Sequence, residues 1–129
     1  MTATARTEHL LGILQDCFKP REEGWLWLAL FAEVEGGVVQ QITGEYEGVR
    51  ETAWFLAEAI NRCRPDHAFV AISREDGRPT ESDRELWRDL RGRVDPDVLV
   101  DLVVFNRDER WSMRGEDAGA VPLGAAGEA

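Results

Sequence analysis

The chain has 129 residues, of which 43% are hydrophobic and 31% charged, which suits one folded domain and argues against a disordered chain. Lys and Arg total 15 against 25 Asp and Glu, and the formal charge of −10 opposes binding to nucleic acid or an anionic membrane, both polyanions. No apolar run approaches the roughly 20 residues of a membrane helix, no basic-then-apolar leader opens the sequence, and no Cys-x-x-Cys pair is present, so a cytoplasmic domain without membrane contact is expected.

Leu10, Leu11, Leu14, Cys17 and Phe18 recur at helical spacing and predict a first helix over 7–18, with Thr7 as its N-cap and Pro20 as its stop. Trp25 to Val34 is apolar on both faces, the pattern of a central strand. Gly36-Gly37 predicts a hairpin turn into a return strand over Val38 to Thr43, followed by a loop over Gly44 to Gly48. Val49, Ala53, Leu56, Ile60 and Cys63 mark one face of a second helix that ends near Pro65. Ala68 to Ser73 reads as a short buried strand and Arg74 to Pro79 as a polar loop.

A third helix is predicted from Thr80 to about Gly92, with Leu86, Trp87 and Leu90 inward; Thr80 and Asp83 stand at capping-box spacing, Asp replacing the usual Glu. Val98 to Phe105 is a long apolar strand, Asn106 to Arg110 a turn, and Trp111 to Met113 a short last strand. Helices interleaved with strands predict an α/β sandwich, a mixed β-sheet flanked by helices. The domain is expected over 1–115, with 116–129 a flexible tail of Gly, Ala and acid. Cys17 and Cys63 are both expected as reduced core thiols.

Local words within this order resemble the JAB (JAMM, MPN-like) superfamily, its RadC-like branch in particular, over the segment from Glu22 to Arg114. In RadC-like proteins a buried strand runs into His-x-His-Pro-Ser-Gly, and Pro-Ser-x-x-Asp then opens a helix. Here the strand Ala68-Phe69-Val70-Ala71-Ile72 runs into Ser73-Arg74-Glu75-Asp76-Gly77, and Pro79-Thr80-Glu81-Ser82-Asp83 opens a helix. Val100-Asp101-Leu102-Val103-Val104 takes the place of the family's Leu-Asp-His-Ile-Ile strand, and Trp111-Ser112 that of its closing Tyr-x-Ser turn. The resemblance implies a JAB/RadC-like, cytidine-deaminase-like sandwich.

In that family two histidines and one aspartate hold zinc, and a glutamate moves the proton of the metal-bound water. The His-x-His positions fall here on Ile72 and Arg74 or, with a different gap, on Ser73 and Glu75, and the loop to Pro79 is about two residues shorter than the family pattern. Ile72 has no donor atom, and Arg74 carries a fixed positive charge that repels zinc. Glu22 or Glu23 stands where the family carries its glutamate, Asp83 at the third ligand and Ser112 at a family serine. The resemblance therefore implies a vestigial site at Glu23, Ser73, Glu75, Asp83 and Ser112, with no catalytic residue, no metal and no cofactor. The two histidines, His9 and His67, lie elsewhere. Read without the family, Asp83 is a helix-start acid whose loss is expected to cost about 1 kcal/mol, and Asp101 is an isolated charge in an apolar strand, paired with an arginine or pointing outward.

Superfamily members that lack the metal motif commonly serve as scaffolds, so the resemblance implies a non-catalytic protein-binding or assembly module, with a protein partner or a second copy as its ligand. Five tryptophans supply aromatic surface, and Trp54 and Trp111 are the candidate partner contacts. Two other readings stay open. One is a metal-dependent hydrolase with rearranged carboxylates, Glu23, Glu75, Asp76 and Asp83, around Mg²⁺ or Mn²⁺. The other is an acidic inhibitor or DNA mimic.

Overall fold

The computed structural model describes residues 3–16, 25–32, 37–45, 48–75 and 78–117. The elements are α1 (Ala3–Asp16), β1 (Trp25–Ala32), β2 (Gly37–Glu45), α2 (Val49–Cys63), β3 (His67–Ser73), α3 (Glu81–Arg93), β4 (Leu99–Phe105), β5 (Arg110–Ser112) and α4 (Met113–Asp117). The sheet is mixed and five-stranded, in the order β2-β1-β3-β4-β5. The β3/β4 pair is parallel and the others antiparallel, because α3 carries the chain back over the sheet between β3 and β4. The α/β class with a mixed sheet flanked by helices is as the sequence predicts.

Side-chain alternation along the inner strands sorts the core into two halves. Leu28, Leu30, Val70, Ile72, Leu102 and Val104 pack with Leu56, Ile60, Leu86, Trp87 and Leu90, so α2 and α3 cover one face. Ala29, Phe31, Phe69, Ala71, Val103 and Phe105 pack with Leu10 and Leu11 of α1 on the other. β1, β3 and β4 are apolar on both faces for this reason. Polar contacts tie α1 to the β4–β5 turn: Gln15 Nε2 donates to the Asn106 carbonyl at 2.9 Å, Arg110 Nε donates to Gln15 Oε1 at 2.9 Å, and Arg110 also pairs with Glu8.

Several boundaries move. The first helix begins at Ala3, four residues before Thr7, and Thr7 is a buried residue within it rather than its N-cap. The second helix ends as predicted, closed by Arg64 in the left-handed region (φ 48°) with its N–H on the Ile60 carbonyl at 3.0 Å. Cys63, expected in the core, is exposed at the last residue of the helix, one turn beyond the buried Ile60. β2 continues through Glu45, where a loop was expected from Gly44. The chain becomes helical at Met113, where a strand was expected, and α4 takes in residues 116 and 117. Cys17, Gly36 and residues 118–129 lie outside the described residues.

Candidate functional site

The short loop after β3 returns the chain to the start of α3, directly beside the end of the strand. Ser73, fully buried, closes β3 opposite Phe105, and the Arg74 N–H extends the ladder by donating to the Phe105 carbonyl at 2.9 Å. Arg74 is thereby fixed at the C-terminal end of the sheet. Across from it, Thr80 caps α3 in extended geometry, and its Oγ1 accepts the Asp83 N–H at 3.2 Å. Asp83 Oδ2 accepts the Thr80 N–H at 2.9 Å, completing the capping box expected from Thr80 and Asp83.

The same carboxylate receives Arg74. The Arg74 Nη2 donates to Asp83 Oδ1 at 2.6 Å and Nε to Oδ2 at 3.2 Å, a bidentate pair. The Asp83 side chain is 0% exposed and that of Arg74 13%. Both Asp83 oxygens are thus filled by protein donors in a dry setting. The sequence marks Arg74 as a charge that excludes zinc and marks the strand end and helix N-terminus that hold the two residues, but not the pairing of Arg74 with Asp83.

Zinc needs neutral imidazole, thiolate or free carboxylate donors, and the described residues around Asp83 do not fit it. Ile72 is buried and apolar, Arg74 holds the Asp83 carboxylate, and Glu75 is exposed. Among the described residues, no group of three or more His, Cys, Asp or Glu side chains could hold a metal ion. Glu22, Glu23 and Asp76 lie outside the described residues. His9 is exposed on α1, and His67 opens β3 at the far end from Arg74.

Ser112 and Asp101 form a second, separate cluster. Asp101 stands opposite Phe69, five residues before Arg74 along the parallel pair, which is about 16 Å of strand. The Ser112 hydroxyl donates to Asp101 Oδ2, while Asp101 Oδ1 accepts the N–H groups of Leu102 at 2.8 Å and Arg114 at 3.0 Å. The Gly115 N–H donates to Ser112 Oγ at 2.9 Å. Asp101 is therefore neither outward-facing nor held chiefly by a guanidinium; it anchors the first turn of α4. Burial raises its carboxyl above the ordinary range, against the pull of Ser112 and the two backbone N–H groups. Ser112 gives its proton to a carboxylate and has no imidazole beside it, so it is not arranged as a nucleophile.

The two candidate contact residues differ. Trp54 is 57% exposed on the outer side of α2, next to Phe55 at 47%. Trp111 is half-buried against the core under α2 and α3, so it is the poorer contact. No protein-family model matches the chain, and no curated protein matches it significantly. No described helix is long and apolar enough to cross a membrane.

Proposed function

We propose that the chain is a non-catalytic domain of JAB/RadC-like type that works in the cytoplasm as a protein-binding or assembly module. The observation that supports this reading most is the Arg74–Asp83 pair. On the alignment that sets the second family imidazole at Arg74, this chain carries a guanidinium there, and that guanidinium contacts both oxygens of Asp83, the acid matched to the third ligand. A permanent cation in bidentate contact takes the electrostatic place of a metal, and it supplies no acidic water. The exposed aromatic pair on α2 supplies the second half of the reading, a surface with more apolar area than a helix facing only water needs.

Metal analysis after dialysis against zinc and then against manganese tests the proposal. The chain is expected to retain no stoichiometric metal. A stoichiometric ion that disappears in Asp83→Ala would favour the carboxylate hydrolase instead.

A further inference from the structure

The outer face of α2 has a charge pattern that fits a copy of itself. Glu51, Trp54, Phe55, Glu58 and Arg62 stand at i, i+3, i+4, i+7 and i+11 and so share one side of the helix, opposite Ala53, Leu56 and Ile60 in the core. Glu51 and Arg62 mark the two ends of this strip, about 16 Å apart at the rise of an α-helix. Trp54 and Phe55 lie between them toward the Glu51 end, and Arg62 is steadied by Glu58 one turn back at 3.2 Å while remaining 82% exposed. The helix carries Arg50 and Arg62 against Glu51 and Glu58, so its charges cancel in a chain whose net charge is −10. Two copies therefore meet less repulsion here than at a face carrying the chain's average acidity.

We infer that this face is a homodimer interface, in which two copies pack α2 antiparallel across a two-fold axis, with the aromatic pairs near the axis and Glu51 of each copy against Arg62 of the other. A two-fold contact must be self-complementary, and the antiparallel arrangement satisfies this because it brings an acid to a base at each end. The parallel arrangement sets Glu51 on Glu51 and Arg62 on Arg62, which charge disfavours. The inference rests on the assembly reading above and names the partner as a second copy of the chain.

Sedimentation equilibrium of the full chain tests it, with circular dichroism confirming that each variant folds. The wild type is expected to dimerise at micromolar concentrations, and Trp54→Ser to weaken the dimer at least about 30-fold, the range for losing a central aromatic anchor. Glu51→Arg alone and Arg62→Glu alone are each expected to weaken it about tenfold by setting like charges together. An equimolar mixture of those two variants is expected to recover a heterodimer of wild-type strength, since acid then meets base at both ends. A monomeric wild type, or a dimer indifferent to all three substitutions, overturns the α2 interface. Metal loading, measured separately, is what overturns the assembly reading, so the two failures are distinct.

Discussion

At the scale of single residues, the Asp83 carboxylate has two partners that a substitution separates. As a helix-start acid alone its removal would cost about 1 kcal/mol. Its pairing with a largely buried guanidinium raises that figure, because Asp83→Ala also removes the carboxylate that Arg74 holds in bidentate contact. Asp83→Ala is expected to cost about 3 kcal/mol by chemical denaturation, and the double variant with Arg74→Met to recover part of that loss. Asp101 carries the opposite sign of pH dependence from a salt-bridged acid. Its folded pKa is raised by burial, so the folded state holds the proton more tightly than the unfolded chain. Stability is then lost as pH rises from the ordinary carboxylate pKa through the raised one. Asn in its place keeps an acceptor for Leu102 and Arg114 and offers Ser112 a donor. Asp101→Asn is expected to flatten that part of the stability–pH curve relative to wild type; an unchanged slope counts against the buried carboxylate as its source.

At the scale of elements, local signals were legible and distant ones were not. The capping box at Thr80 and Asp83 could be read because its partners lie three residues apart. The start of α4 could not, because the acid that anchors Met113–Asp117 is Asp101, on the neighbouring strand. The Arg74–Asp83 pair falls between these cases: strand end and helix start were both evident, and only the closeness imposed by the short loop was missing. A threonine before an apolar run looks like a cap, but at Thr7 the helix has already begun four residues ahead. Cys63 continues the apolar stripe of α2 in sequence, but burial along the helix stops at Ile60. The end of α2 offers its own test. Arg64 holds a left-handed conformation that costs a side-chain-bearing residue roughly 1 kcal/mol. Arg64→Gly is expected to raise stability by about 0.5–1 kcal/mol in thermal unfolding, and a loss of stability there would mean that the arginine side chain matters more than its backbone.

At the scale of the molecule, two faces of one sheet do different things. The α1 side buries Phe31, Phe69 and Phe105. The α2–α3 side completes a second core and places an aromatic pair at the surface on the outer side of α2. The architecture was legible because the periodicities of β1, β3, β4, α2 and α3 are strong. The proposed likeness to JAB/RadC-like proteins rests on short words along the chain, and the role proposed for the domain rests on the Arg74–Asp83 pair. The most direct test follows the Arg74 Nε–H signal by NMR while zinc is added in excess to the full chain. With the guanidinium locked on Asp83, that signal is expected to stay slow to exchange and unmoved at every zinc concentration. A zinc-dependent shift of Arg74, saturating at one ion per chain and absent in Asp83→Ala, would contradict the account and make Asp83 a metal ligand.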